Sequence, residues 1–589
     1  MLRRVGCRFA AAQASKGSVG AAGLSASLQA LLPSPQTLAA DPSLAKQVDA
    51  PKIISSLDLA LHTSKGGDGA PRLQDVLGPK GSPLSASETR DAVIVLLRCC
   101  GATRNVDAAR RLFLRALRDL HPDDVGASIF DTFLSLLAQQ GAVSRAEVTF
   151  VLNLMIKQFK VPRTAHTFQA LFETHLRLYE DCAALWKTMR KDGVTPSPAV
   201  LRLLIHGAVL PGHDDIHFVL DVVGEFVKRC EHSDAAVLEK VFACVVDHRD
   251  AAAEHALWLL FELEMRCVLD RKPLTKCVDR ANVIRLLLKC AKGGDATTAS
   301  RTLALMERQQ IPATADALAL VAWSYARALE VEKAVDALED MAQRGMLDGV
   351  DHTKRFVIEA LNQPVQKHYL TTVAECLSSA EAVDRAYFHL EKRKADGKAV
   401  SVHTLDVIVL ACAKLGDEDR AVETMESYAT LGVHPRAQSY NALLVLCGGR
   451  NKARQHRTIF EAMLRNGVKP NYHTLRLLIR QAVLTDNIDE ALEFLERAPT
   501  FPGVRVDVEM LLPVLERAAR VGDVATVLEV AHFSLKCDIG IDGTVLRTAI
   551  SRLKENGVDA AEVEAIIPAH ERMRGQYGVG RRGKPQATG

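Results

Sequence analysis

The sequence offers few groups of residues whose types and spacing could support catalysis or metal binding. His213 and His217 stand four residues apart, which would place both imidazoles on one face of a helix. The zinc hydrolase motif shares this spacing, but it requires a glutamate after the first histidine and a third ligand elsewhere. Here the segment reads His-Asp-Asp-Ile-His and follows Pro211-Gly212. We therefore predict no metal site in it.

Two other patterns also lack the residues that chemistry would need. The Gly-rich segment 64–69 does not contain the Gly-x-x-x-x-Gly-Lys-[Ser/Thr] signature of a phosphate-binding loop, so it is interpreted as a flexible loop. The thirteen cysteines include no Cys-x-x-Cys pair. Several of them, such as Cys290, Cys412 and Cys447, fall late in predicted helices, where we expect buried, reduced thiols. The sequence predicts no enzyme, no cofactor and no small-molecule substrate.

A period of 35 residues organises the C-terminal half of the chain. Gly432 and Gly467 are 35 residues apart, and so are Pro435 and Pro470. Each interval holds two runs of apolar residues at spacings of three and four, which predict two amphipathic helices. The glycine ends the second helix and the proline prevents it from resuming. A two-helix unit cannot bury its apolar stripe alone, so this period predicts stacked helical repeats.

A second recurring marker lies inside the units. Glycine followed by aspartate occurs at 294–295, 416–417 and 522–523, where the glycine would end the first helix and the aspartate would cap the second. The two markers together define six copies and a shortened one: 279–313, 314–348, 402–436, 437–471, 472–507 and 508–542, with 165–197 as the shortened copy. Agreement between independent markers fixes the register of the helices.

The order of helix, Gly-Asp turn, helix and Gly-Val-x-Pro resembles the pentatricopeptide repeat family. The resemblance implies an all-α fold, a right-handed superhelical solenoid, with one face lined by first helices on which each repeat contacts one RNA nucleotide. It also implies that the fifth and last residues of a repeat face the base and that the second packs against it. In repeat 437–471 these residues are Asn441, Asn471 and Gln438, and this Asn/Asn pair would favour a pyrimidine.

The corresponding pairs in four other repeats depart from the polar combinations that the family uses. They are Asp406 with Arg436, Arg476 with Asp507, Val283 with Ala313, and Leu318 with Asp348. Valine and leucine side chains cannot form hydrogen bonds with a base edge. One readable repeat cannot specify a sequence, so reading of an extended RNA sequence is disfavoured.

Charge gives a separate indication of RNA binding. Between residues 437 and 482 the chain has eight basic residues and a single acidic one, Glu461. The basic residues are Arg450, Lys452, Arg454, Arg457, Arg465, Lys469, Arg476 and Arg480. Such a stretch would attract phosphates without reading bases, and we predict that it forms the RNA contact region with the asparagine pair. The alternatives are a solvated basic helix face or contact with an acidic protein.

The ends of the chain differ in composition from the repeats. Residues 1–40 contain Arg3, Arg4, Arg8 and Lys16 and no acidic residue, which is typical of an organelle transit peptide. No apolar run is long enough to cross a bilayer. The predicted organisation is a transit peptide (1–40), a flexible linker (41–84) with one helix at 53–61, degenerate helical repeats (85–278), repeats (279–348), an irregular helical region (349–401), repeats (402–542), capping helices (543–571) and a basic disordered tail (572–589).

These features predict an RNA-binding helical-repeat adaptor of the mitochondrial matrix, acting on single-stranded or ribosomal RNA in processing, stability or translation. A plastid location and an unstructured cytosolic N-terminal tail are the alternatives for residues 1–40. One alternative function is a structural subunit of the mitochondrial ribosome or of another ribonucleoprotein, which would suit the degenerate base-facing positions. The other is a scaffold that binds only proteins.

Overall fold

The computed structural model describes residues 72–77, 83–102, 104–140, 144–178, 180–230, 235–350, 355–448 and 453–580. The predicted transit peptide 1–40 and the predicted helix 53–61 lie outside this part of the chain. Two compact units, Met1–His255 and Ala256–Gly589, make up the chain. None of the helices in the described residues combines the length and the apolar character that a membrane span requires.

The first unit consists of helices arranged in pairs. Its helices are α1 (Leu73–Leu77), α2 (Ala86–Ala102), α3 (Val106–Asp119), α4 (Ala127–Gln140), α5 (Arg145–Asn153), α6 (Ala165–Arg177), α7 (Cys182–Lys191), α8 (Pro198–Leu204), α9 (Ile216–Arg229) and α10 (Ala235–Asp247). Single π-helical turns, Leu154–Gln158 and Ile205–Val209, extend α5 and α8. Helices α2, α4, α6 and α8 pack in sequence, each beside the next.

The second unit repeats the same construction after α11 (Ala253–Leu269), whose first three residues belong to the first unit. Its first helices are α12 (Arg280–Gly293), α14 (Ala315–Arg327), α16 (Tyr369–Cys376), α18 (Val402–Leu415), α20 (Ala437–Leu446), α22 (Tyr472–Leu484), α24 (Val508–Val521) and α26 (Gly543–Glu555). The second helices are α13 (Ala296–Arg308), α15 (Val331–Gln343), α17 (Ala380–Ala395), α19 (Glu418–Thr430), α21 (Ala453–Arg465), α23 (Ile488–Arg497), α25 (Val524–Lys536) and α27 (Ala561–Gly580).

Each first helix of the second unit packs against the next first helix, from α12 to α26, and all of them except α16 pack against their own second helix. The first helices therefore form one continuous layer, called here the first-helix layer. Fully buried leucines such as Leu405 and Leu475 fill the space between the layers. Because a single pair cannot cover its apolar stripe, this stacking supplies the core. The predicted all-α helical-repeat fold is confirmed.

The turns inside the repeats have the predicted geometry. The backbone φ angles are +73° at Gly294, +74° at Gly416 and +85° at Gly522. Each following aspartate accepts a hydrogen bond from a backbone N–H in the first turn of the second helix: Asp295 from Thr298, Asp417 from Arg420, and Asp523 from Thr526. Left-handed φ suits glycine, and the caps contribute about 1 kcal/mol each.

The structure corrects three expectations about the irregular regions. Part of the predicted linker forms α1, which buries Leu73 and Leu77 against the neighbouring helices. At the other end, α27 continues to Gly580, into the range predicted to be a disordered tail. Arg574, within that range, forms an ion pair with Asp542, which holds this part of the helix in place. Charge and glycine content alone had suggested a mobile tail there.

The third correction concerns residues 349–401. This region contains two helices, α16 and α17, preceded by a small β-hairpin; α16 packs against the neighbouring first helices and α17 against α15 and α18. Strands β1 (Val357–Ile358) and β2 (Gln363–Pro364) pair in antiparallel fashion, with Val357 opposite Pro364. Asn362 makes the turn with a φ of +48°. These two strands form the only sheet in the described residues. We call residues 355–368, which contain both strands, the hairpin segment.

Candidate nucleic-acid interface

The residue that ends three of the predicted repeats has a structural role in the next helical pair. Asn471, Asp507 and Asp542 are the N-cap residues of α22, α24 and α26, and each accepts a hydrogen bond from a backbone N–H of the first helical turn. A helix leaves its first N–H groups without partners, so a side-chain oxygen at this position stabilises it. Only the atoms that remain after capping can contact a ligand.

Asn441 and Asn471 lie in contact. The Nδ2 group of Asn441 donates to Oδ1 of Asn471 over 3.2 Å. That oxygen also accepts from the backbone N–H of Thr474 at 2.9 Å and from its hydroxyl at 3.0 Å. Asn471 Nδ2 makes no hydrogen bond to the described part of the chain. The pair therefore keeps one amide group available, although its contact with a base stays a prediction.

The other end of Asn441 lacks a partner. The residue is only 2% exposed, and its Oδ1 atom is buried without a hydrogen bond to any described residue. A buried acceptor left unpaired costs about 1–3 kcal/mol. A ligand that brings an N–H group to this oxygen would recover that energy. Gln438, the predicted packing residue, lies half-buried one turn earlier on α20.

A cleft of about 510 Å³ opens beside Asn441. It runs across α16, α18, α20 and α22, and the hairpin segment forms one wall. The polar residues that line it are Arg355, Gln366, Lys367, His368, Thr371, Glu375, Lys414, Asn441 and His473. Three of these side chains are cations and one is a carboxylate, a formal charge of +2 without the histidines. The cleft is therefore suited to an anionic, hydrogen-bonding ligand.

Sequence reasoning missed the cationic residues of the hairpin segment. A signal did exist, because 53 residues separate position 348 from position 402, whereas one repeat needs 35. The excess of 18 residues precedes α16 and forms most of the hairpin segment. Arg355 comes from this insertion and Lys367 directly follows it, so the register of the matched repeats did not identify either of them.

In repeat 402–436 the predicted base-facing residues bind each other. Arg436 donates to Asp406 over 2.5 Å and also contacts both ring nitrogens of His403. The buried carboxylate of Asp406 accepts further hydrogen bonds from the hydroxyl of Tyr428 at 2.9 Å and from Ser439. Its acceptor sites are occupied within the protein, so this repeat has no free carboxylate to offer a base.

In the remaining pairs the polar residues of one are occupied, and the other two have a buried apolar residue at the fifth position. Arg476 forms an ion pair of 3.0 Å with Glu509, and Asp507 accepts from the hydroxyl of Tyr472 at 2.7 Å. Val283 and Leu318 are buried in the core, at 0% and 2% exposure. Among the five pairs that the sequence identified, two have a buried polar atom without a partner: Oδ1 of Asn441 and Nε of Arg436. The guanidinium of Arg436 is already held by Asp406 and His403, so the asparagine pair is the one that offers a base an unpaired acceptor.

The predicted basic contact region is divided between two layers, which corrects the expectation of a single surface. Arg457 lies on second helix α21 and is within 4 Å of Glu461 and of two glutamates of α23. Arg476 and Arg480 are exposed on first helix α22, and Lys469 is exposed in the turn before it. The residues Arg450 and Lys452 and the side chain of Arg454 lie outside the described part of the chain. Sequence proximity therefore did not ensure a common face.

The histidine and cysteine side chains that were considered for metal binding or reactivity have contacts typical of structural residues. His213 accepts a hydrogen bond from the backbone of Asp215 at 3.0 Å, and its Nε2 lies 3.2 Å from Asp181. Burial raises the pKa of Cys290 and of Cys412 to about 12, so these thiols stay protonated at neutral pH. No group of three or more His, Cys, Asp or Glu side chains that could hold a metal ion occurs in the described residues.

The geometry defines a class: an α-helical repeat protein whose first-helix layer carries a polar cleft. A family model described as a pentatricopeptide repeat-containing protein matches residues 282–428. A mitochondrial pentatricopeptide repeat-containing protein of Arabidopsis thaliana is 31% identical over 171 residues, which are 29% of this chain and 26% of that protein. Another from the same plant is 29% identical over 107 residues, covering 18% and 17%. Over these residues the chain is similar to proteins of the pentatricopeptide repeat family.

The matched segments span about a quarter or less of the length of these relatives. Among solved structures, the pentatricopeptide repeat protein PPR10 from maize aligns with 97% of this chain and 82% of its own, at 14% identity and a TM-score of 0.35. The same maize protein in complex with an 18-nt psaJ RNA element aligns with 93% of this chain and 78% of its own, at 16% identity and a TM-score of 0.32.

Proposed function

We propose that this protein binds single-stranded RNA along the first-helix layer of its second unit, with the asparagine pair as the base contact. The observation that carries the proposal is the buried, unpaired Oδ1 atom of Asn441 beside a cleft of formal charge +2. Repeats of this family read one base each through two or three side chains. Here one repeat has that capacity, so phosphate contacts supply most of the affinity.

We further propose that the protein acts in mitochondria, in the processing, stability or translation of its RNA. The acid-free, arginine-containing segment 1–40 supports this location, and so does the mitochondrial name of one relative. The matrix is the compartment in which such RNA is found. The RNA itself is a transcript or a ribosomal RNA.

A structural subunit of a mitochondrial ribosome or another ribonucleoprotein is the second candidate. It is favoured by the internal pairing of Asp406 with Arg436 and by the burial of Val283 and Leu318, which leave little capacity for reading a sequence. In such a particle, shape and protein contacts would determine the position of the chain. A scaffold that binds only proteins is the remaining alternative.

Ultraviolet crosslinking of the full-length protein in isolated mitochondria, followed by sequencing of the attached RNA, separates these functions. A footprint on one messenger RNA supports the adaptor. A footprint on ribosomal RNA, with sedimentation in a ribosomal particle at moderate salt, supports the subunit. Absence of crosslinked RNA from a protein that remains folded and located in the organelle contradicts RNA binding and leaves the scaffold.

A further inference from the structure

The hairpin segment stands at a defined place on the first-helix layer. The helical turn at its tip packs against α12, and the backbone N–H of Ala360 donates to Asp316 on α14 over 3.3 Å. Ile358 is fully buried, and the ring of Phe356 packs edge-on to Tyr369 with centroids 5.0 Å apart. These anchors hold both strands, so the hairpin is a fixed obstacle above α12 and α14.

The side of the hairpin segment that faces α16 carries positive charge. The Nζ atoms of Lys367 and Lys414 each lie 2.8 Å from the same oxygen, Oε1 of Glu375. The two ammonium groups are therefore no more than twice that distance apart. One carboxylate leaves one of their two charges uncompensated, and the exposed Arg355 lines the same cleft. A singly or doubly charged anion would complete the neutralisation.

The same cleft offers an uncharged acceptor. Asn441 lines it, and the buried Oδ1 atom of this residue has no partner in the described residues. A carbonyl oxygen does not bind an anion, but it accepts a hydrogen bond from a base N–H. Cations at the hairpin and an amide acceptor on α20 together match a nucleotide, which carries a phosphate and a base edge. A simple anion would leave Asn441 unsatisfied.

We propose that the hairpin segment ends the RNA path on the first-helix layer and that Arg355, Lys367 and Lys414 hold a phosphate of the strand there. This inference rests on the proposed RNA binding. Beyond the hairpin the layer continues through six first helices, α16 to α26. At one nucleotide per repeat, the occupied strand is about six nucleotides long. A path that also crossed α12 and α14 would hold about eight.

The length of the path is measured with the full-length protein and fluorescent oligouridylates of 4 to 14 nucleotides. Affinity should rise with length and stop rising at about six nucleotides. A rise that continues through about eight nucleotides or more would show that the strand passes the hairpin, and would overturn the proposal. Wild-type protein suffices for this experiment, so misfolding of a variant cannot obscure it.

The phosphate contact is measured with two sets of variants. Arg355→Gln combined with Lys367→Gln should reduce the slope of log affinity against log salt by about 0.7, because the contact to one phosphate of a single strand is lost. Lys392→Gln with Lys398→Gln, at exposed positions on α17 and in the turn after it, is the matched control and should leave the slope unchanged. Equal slopes for both double variants would overturn the contact.

Glu375→Gln tests the same site in the opposite direction. Without the carboxylate, Lys367 and Lys414 no longer have an ion-pair partner at Glu375, so RNA affinity should increase. Glu426→Gln, at an exposed position on α19, is the control and should leave RNA affinity unchanged. A purely structural role for the three charges predicts a lower melting temperature without any gain in affinity. That result would also reject the proposal.

Two further comparisons show whether the bound phosphate is terminal or internal, and whether a negative result contradicts RNA binding itself or only the role of the hairpin segment. Oligouridylates with a 5′-phosphate, a 3′-phosphate or only hydroxyl ends distinguish a terminal phosphate from an internal phosphodiester: a preference for one phosphorylated end, lost in the Arg355/Lys367 variant, identifies the former. If wild-type protein binds none of these probes and no organellar RNA, the proposed function fails. If it binds them without any effect of the hairpin charges, only the present inference fails.

Discussion

Replacement of Asn441 by leucine should change stability and RNA affinity in different directions. Leucine has a similar volume and no polar atoms, so the substitution removes both the 3.2 Å hydrogen bond to Asn471 and the unpaired buried oxygen. Loss of the hydrogen bond costs about 0.5–1.5 kcal/mol, and removal of the unpaired acceptor returns about 1–3 kcal/mol. The free protein is therefore expected to be as stable as the wild type or slightly more stable.

RNA affinity should fall in the same variant. If a base N–H satisfies Oδ1 of Asn441, the leucine variant forgoes the recovery of about 1–3 kcal/mol on binding, roughly a fivefold to 160-fold increase in Kd. Fluorescence anisotropy with a 14-nucleotide oligouridylate measures the affinity, and thermal denaturation of the same preparations measures stability. Asn466→Leu is the control, because Asn466 at the end of α21 contacts the hydroxyl of Tyr440 and does not line the cleft.

The combination of results decides the argument. An Asn441→Leu protein that is folded and binds RNA as well as the wild type would refute the role of Asn441 as a base contact. A protein that loses stability and affinity together would indicate that the asparagine pair serves only the packing of α20 and α22. Equal loss of affinity in the Asn466 control would show that the effect is not specific to the cleft.

Three other substitutions test the network of contacts. Asp406→Ala should lower the stability of its repeat by about 2–4 kcal/mol, since buried Tyr428 and Ser439 lose their acceptor; hydrogen exchange measures this. Arg457→Glu should cost up to about 1 kcal/mol by thermal denaturation, less at high salt, with RNA affinity unchanged. Burial raises the pKa of Glu339. The protonated Glu339 side chain therefore stabilises the protein below the usual glutamate pKa, and this stabilisation is lost as pH rises through the raised pKa. Glu339→Gln should flatten this dependence of melting temperature on pH.

Local chemistry made the repeats predictable. Gly294, Gly416 and Gly522 adopt left-handed φ, and the aspartates that follow them cap the second helices. These features involve residues within four positions of each other, so the sequence contains all that they require. For the same reason the first helices α12, α14, α18, α20, α22 and α24 begin at or one residue after the first residue of a predicted repeat.

The candidate site was predictable only in part. The repeat register placed Asn441 and Asn471 in equivalent positions, and the structure shows them in contact. The register could not show that Asn471 also caps a helix, because the same residue type serves both roles. The hairpin segment was missed because an insertion has no counterpart in a repeat, and its contacts with Asp316 and Tyr369 join residues distant in sequence.

By itself the sequence determined the helices, their turns and their order, because hydrophobic periodicity, glycine and capping residues act over a few residues of chain. Only the tertiary structure decided which charges remain available. Arg457 is drawn to glutamates of the next repeat, and Arg436 to Asp406, whereas Lys367 and Lys414 converge on one carboxylate at the cleft. Electrostatic partners depend on distance in space, and stacking of the helices sets that distance.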